Sequence, residues 1–439
     1  MLNHLPLTFW KHFTFCSQEL KNIAGVSRYT YQIIQALRQS KDFPFTLRII
    51  KIPMKWICYK MILDRFVEKW NLAKVRSVKH IVYLSSGEED EVYQICSFIP
   101  KEFYISIHFT GCNFNGLLMN EFKTLGSRLI SLNLQINENT YKSVTKCLLH
   151  TPFLEELNLS NNSFKQTDLE DIAPALQLMD RLTDLNLSGN IITSIAPSLK
   201  YMTSLLKLDI SRTQNSHLNV LSTNLINTSF QVVAPSLYIM SRLTNFNISG
   251  NIITVNAARQ LAPALSYMTN LLTLDISRTN LGYKTLKVLS TSIISMTNLE
   301  CLNIGCNWIG RDRQDDLVLI LKRLTRLKEL DISFSEIGID EMIAFAPYFA
   351  KLKRLNLSGN QIAEYFESPI SCFKMPNLEF LNLSSNNITV KSVDGLTKSL
   401  ETMTSLTHLI LRHNNIGMNI LSSVMKKIKI KNIDIRDNM

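Results

Sequence analysis

Charged residues are sparse in this 439-residue chain, at 19%, and no stretch of about eighteen consecutive apolar residues occurs in it. The opening MLNHLPLTFWKHF lacks a basic leader and a long apolar segment ending in small residues. Neither secretion nor membrane spanning is therefore expected, and a cytoplasmic protein is. The eight cysteines (Cys16, Cys58, Cys96, Cys112, Cys147, Cys301, Cys306 and Cys372) are scattered, with no CxxC pair. They read as reduced core or surface thiols rather than a disulfide framework or zinc site. Glycine (14) and proline (12) are too few for a collagen-like or low-complexity polymer, and 46% hydrophobic residues exclude a disordered one. Catalytic signatures are missing too. There is no GxxxxGK(S/T), GxSxG or HExxH, and the histidines have no metal-ligand spacing, so no enzyme, metal or cofactor is expected. The excess of 47 Lys and Arg over 36 Asp and Glu gives a net charge of +11. Its densest run, KKIKIK at 426–431, is not interleaved with aromatics and reads as the solvated end of a helix and strand, so no nucleic-acid partner is expected.

Self-similarity is abundant. LEELNLSNN from Leu154, LTDLNLSGN from Leu182, LTNFNISGN from Leu243, LKRLNLSGN from Leu352 and LEFLNLSSN from Leu378 share the template LxxLxLxxN. Weaker copies start at Leu129, Leu205, Leu271, Leu299, Leu327, Leu406 and Ile430, and degenerate ones at Val78 and Tyr104, for a mean period of about 27 residues. Apolar positions 1, 4 and 6 put one short strand per copy against a core, and Asn at position 9 can satisfy backbone groups at the turn leaving the strand. A helix should follow. In AARQLAPALSYM the residues Ala258, Leu261, Ala262, Leu265 and Met268 form one buried stripe. Proline recurs in these helical segments at Pro174, Pro197, Pro235, Pro263 and Pro347, so the helices should kink or start late. SGNIIT and LDISRT each occur twice, which points to a duplicated unit of two repeats and to an irregular loop near 213–232, where the copies differ in length. Asn158, Asn186, Asn247 and Asn356 begin Asn-x-Ser triplets, but these belong to the repeated motif and are not read as glycosylation sites.

This pattern resembles the leucine-rich repeat family, and its period the ribonuclease-inhibitor-like class. The resemblance implies an α/β solenoid, a right-handed α/β horseshoe of about 12–14 repeats over residues 78–439, with a protein partner on the concave face of the strands. Position 5 carries an Asn/Asp ladder there, for which solvation of the sheet is the plainer reading. The candidate partner-binding residues are Asp209, Arg212, Asp275, Arg278, Asp331, Phe334, Phe380, His408 and Arg412. Inhibition of a cationic ribonuclease would need an acidic groove, which the positive charge disfavours. A Ran-type GTPase activator resembles this architecture and is the less favoured alternative, since its acidic tail and loop Arg or Asn pair are not placed in this sequence. The final copy stops after its strand, so that edge is expected to be exposed, frayed or covered.

Residues 1–40 differ in texture, and ELKNIAGVSRYTYQII resembles the second half of an F-box. Leu5, Pro6, Trp10, Phe13, Leu20, Ile23, Val26, Tyr31 and Ile34 are the positions matching that family's adaptor-binding residues, although the acidic residue after Pro6 is missing and the spacing from Leu-Pro to the aromatics is shorter than usual. The resemblance implies a small helical segment that docks on the adaptor of a cullin-type ubiquitin ligase. Capping of the solenoid, and the remnant of a longer sensor protein, are the alternatives. Residues 41–77 form a connecting region with a strand-like run between Pro44 and Pro53. The expectation is a non-enzymatic substrate receptor presenting a bound protein for ubiquitination, and otherwise a ligand-binding module of a NACHT/leucine-rich-repeat sensor or a free scaffold.

Overall fold

The structure is a computed structural model that describes residues 12–15, 46–49, 79–85, 104–112, 122–136, 141–162, 164, 166–190, 192, 195–213, 230, 233–311, 315–368, 374–417 and 430–438. It divides into two compact units, Met1–Asn190 and Ile191–Met439. In the first, strands β1 (His12–Phe15), β2 (Thr46–Ile49), β3 (Lys79–Ser85), β4 (Tyr104–Cys112), β5 (Leu129–Ile136), β6 (Glu156–Asn158) and β7 (Asp184–Asn186) pair in parallel, each with the next. Helices α1 (Tyr141–Leu148) and α2 (Gln166–Gln177) follow β5 and β6 and pack on each other.

The second unit continues the rule. Strands β8 (Lys207–Asp209), β9 (Asn245–Asn247), β10 (Thr273–Asp275), β11 (Cys301–Asn303), β12 (Glu329–Asp331), β13 (Arg354–Asn356), β14 (Phe380–Asn382), β15 (His408–Ile410) and β16 (Asn432–Asp434) form a parallel ladder in chain order. Between them run α3 (Ala196–Leu199, before β8), α4 (Val255–Leu265), α5 (Tyr283–Ile293), α6 (Asp315–Arg323), α7 (Ile339–Phe345), α8 (Ala363–Glu367) and α9 (Val393–Glu401). From α4 to α9 each helix packs on its successor. Each unit is thus an α/β solenoid of parallel strands, with crossover helices in the connections given above.

The core is a set of columns. Position 4 contributes Leu208, Phe246, Leu274, Leu302, Leu330, Leu355, Leu381 and Leu409, paired in register along the sheet and none more than 2% exposed. Burying each side chain stabilises the stack by about 1.5–3 kcal/mol. The expected stripe of α4 is buried throughout, and Thr254 caps that helix by accepting from the Ala257 N–H at 3.2 Å. Prolines act by position. Pro197 opens the four-residue α3, Pro347 opens a 3-10 turn after α7, and Pro174 and Pro263 fall near the ends of α2 and α4.

From Tyr104 onward every expected copy is in register with its neighbours wherever pairing is described. The degenerate copy at Val78 is not. Val82, rather than Ile81, pairs with Ile107, so that rung starts one residue later. The strand reads KHIVYLS, with apolar residues on both faces, so its alternation does not fix the register. The strand-like run expected after Pro44 is β2. Phe13, which the F-box resemblance puts on a helix, lies on β1 and pairs with Leu47. Leu5, Pro6, Trp10, Leu20, Ile23, Val26, Tyr31 and Ile34 lie outside the described residues, as does the expected loop across 214–229.

Candidate partner-binding face

Two ladders of polar side chains, at positions 5 and 9, organise the rungs, and both are spent on the protein itself. Position 9 is buried. The Asn251 amide donates to Ile210 O at 2.8 Å and to Ile248 O at 2.9 Å, while its carbonyl accepts from the Thr213 N–H at 2.8 Å. Asn162, Asn307, Asn360 and Asn414 repeat this bridge between successive rungs. Position 5 faces outward but closes an Asx turn. One side-chain oxygen of Asp209, Asn247, Asp275 and Asp331 accepts the N–H two residues on, at 2.9 Å in each. The second oxygen of each aspartate is taken by the next rung's asparagine: Asn247 to Asp209 at 3.1 Å, Asn303 to Asp275 at 3.0 Å, and Asn356 to Asp331 at 2.8 Å. Asp209, Asp275 and Asp331 thus stand at alternate rungs of position 5, each in its own hydrogen-bonded pair with the asparagine of the next rung.

Positions 2 and 3 carry the variable chemistry of the strand face. Lys328 pairs with Glu300 at 2.7 Å and Lys353 with Glu379 at 2.8 Å. The latter pair raises the lysine pKa and lowers that of the glutamate, chiefly through their shared hydrogen bond. On position 3, Arg354 stands 3.8 Å from Glu329 and lies over the Phe380 ring at 4.3 Å. Phe380 in turn is 6.5 Å from the His408 ring, whose nitrogens meet Thr407 Oγ1 at 2.9 Å and Asn432 Nδ2 at 2.8 Å. A groove of about 630 Å³ opens beside this row, lined by Phe380, His408, Ile410, Asn432, Asp434 and Arg436. Arg412 is at position 7, where it forms an ion pair with Asp434. Glu329 and Arg354 escape a reading made rung by rung. Only stacking the copies on their leucines turns position 3 into the sequence Glu329, Arg354, Phe380, His408.

Arg212, Arg278 and Phe334 do not share the strands with the other candidates. They occupy position 8, in the turn after each strand, with φ of 51°, 56° and 49°. All three are exposed.

Two thiols are held protonated by their surroundings. Burial pushes Cys147 up to about 12, and burial followed by Glu329, Asp275 and Asp331 pushes Cys301 up to about 11. Neither is a poised nucleophile. Among the described residues no group of His, Cys, Asp and Glu is arranged to hold a metal ion, and no helix is long and apolar enough to cross a membrane.

Family comparison supplies the name of the rung. Models described as leucine rich repeats match residues 350–398 in two copies, residues 295–312 and 402–425, and residues 153–175. These segments are leucine-rich repeats. No curated protein matches the chain. Among solved structures, an internalin (inlF) from Listeria monocytogenes is similar, with 22% identity and a TM-score of 0.44, over 70% of this chain and 81% of that one. The leucine-rich repeat-containing protein LegL7 from Legionella pneumophila has 17% identity and a TM-score of 0.39, over 64% of this chain and 93% of that one.

Proposed function

We propose that this chain is a non-enzymatic protein-recognition module that holds a protein partner on the strand face of its leucine-rich repeats. The observation that carries this reading is the row Arg354–Phe380–His408 beside an open groove. Aromatic and arginine side chains dominate protein interfaces because they bury large areas at small entropic cost, and here a guanidinium already stacked on a ring presents such an anchor. Flanking ion pairs would form the polar rim. Purification of the tagged chain with its bound protein, repeated with Arg354→Ala, Phe380→Ala and His408→Ala together, tests this. Loss of the partner with unchanged melting temperature supports the reading, and full retention contradicts it.

The finer reading is a cytoplasmic substrate receptor of a cullin-type ubiquitin ligase, built on repeats of the ribonuclease-inhibitor-like class. Its support is the period of about 27 residues and the N-terminal ELKNIAGVSRYTYQII, with Leu5, Pro6, Trp10, Leu20, Ile23, Val26, Tyr31 and Ile34 as its adaptor-binding positions; Phe13, on β1, is not among them. Activity would then come from proximity: a substrate held on the repeats gains effective concentration near the charged ubiquitin. Retention of the ligase's small adaptor by the wild type, and not by a Leu5→Ala, Pro6→Ala, Leu20→Ala variant, supports this step. No retention by the wild type removes it and leaves a sensor module or free scaffold.

A further inference from the structure

Position 8 is left-handed in rung after rung, and the residue types there alternate. Gly250 and Gly359 are small, whereas Arg212, Arg278 and Phe334 on alternate rungs are large. Arg212 and Phe334 lie across their glycine neighbours on the next rung. A Cβ added at Gly250 would meet Arg212 Cγ at 2.8 Å, and one at Gly359 would meet the Phe334 ring at 2.3 Å. Two positions further on, Ile252 and Trp308 are 41% and 43% exposed, and Phe334 itself is 56% exposed. This turn edge of the second unit thus displays two arginines, a phenylalanine, a tryptophan and an isoleucine. Among the described residues neither the Arg212 nor the Arg278 guanidinium meets an acceptor, in contrast to those of Arg354 and Arg412 on the strand face.

From this we infer a second docking surface, for an acidic protein segment lying extended along the turn edge, with carboxylates on Arg212 and Arg278 and an apolar side chain on Phe334. Charge selects the occupant, since two guanidiniums on one line, without acceptors among the described residues, favour carboxylates. Glu336, two residues past Phe334, disfavours a third carboxylate and suits an apolar anchor there. Spacing selects the conformation. Arg212, Arg278 and Phe334 follow alternate strands, about 10 Å apart, close to the roughly 9 Å rise of one three-residue turn of a polyproline II segment, which returns every third side chain to the same face. The ligand pattern is acid-x-x-acid-x-x-aromatic, in either direction. This surface is separate from the Arg354–Phe380–His408 row and does not depend on it.

The test is fluorescence anisotropy of the full chain with a labelled peptide carrying Glu, Glu and Phe at that spacing, against the same peptide with Lys in place of Glu. Arg212→Asn with Arg278→Asn removes both charges while keeping a residue that accepts the left-handed backbone. The inference expects binding of the acidic peptide alone, weakened about tenfold in the double variant, as loss of two exposed ion pairs implies. It expects no change with Phe380→Ala. Equal binding of the two peptides, absence of binding to the wild type, or an unaltered affinity in a double variant with wild-type melting temperature would overturn it. Weakening by Phe380→Ala equal to that of the double variant would overturn it as well, by placing the peptide on the strand face.

Discussion

The Phe334 ring covers Gly359 of the next rung so closely that a methyl group there would sit 2.3 Å from ring carbon Cδ1. Gly359 also has φ of +67°. Gly359→Ala therefore meets both a left-handed backbone penalty and a steric one, together about 2–4 kcal/mol. In thermal denaturation the Gly359→Ala, Phe334→Ala double variant should recover the steric part. If Gly359→Ala alone melts with the wild type, the covering contact is wrong.

The buried ladder predicts a contrast between asparagines. Asn251→Ala strips two carbonyls, one N–H and the Thr213 hydroxyl of their partner and should cost about 3 kcal/mol. Asn256 is exposed at the start of α4, and Asn256→Ala should cost less than about 0.5 kcal/mol. Chemical denaturation of the two variants checks the difference.

Thiol reactivity provides a pH test. With pKa values of about 11 and about 12, Cys301 and Cys147 are roughly 0.1% and 0.01% thiolate at pH 8. Peptide mapping after brief iodoacetamide treatment of the folded protein should find both largely unmodified, and rapid labelling of Cys301 would contradict its surroundings. The linkage runs the same way. A raised folded-state value means the protonated thiols contribute stability below the ordinary thiol range, and this contribution is lost as pH rises toward 11–12. Alkaline unfolding of a Cys147→Ala variant should accordingly depend less on pH than that of the wild type.

Much of the fold is legible from the leucines, because a strand face turned to the core admits one register and a slip of one residue would expose the whole column. Position 4 from Ile107 to Ile433 follows that rule, and Val82 departs from it where KHIVYLS is apolar on both faces. The binding face is less legible. Asp209, Asp275 and Asp331 read as available carboxylates, and only the folded rung reveals that each is held by its own turn and by an asparagine from the next repeat. Arg354 and Glu329 were hidden because a row across the sheet collects one residue from each of several distant segments. Arg212, Arg278 and Phe334 share the columns of the repeat but not its face, since a left-handed φ at position 8 turns the chain out of the strand.

Site-specific photo-crosslinking tests the central claim most directly. A benzophenone amino acid at position 380, on the strand face, is compared in cell extract with one at position 259, on the exposed side of α4. Strand-face recognition predicts a discrete crosslinked protein from position 380 that is absent from position 259. The same products from both positions, or a discrete partner captured only at position 259, would contradict it.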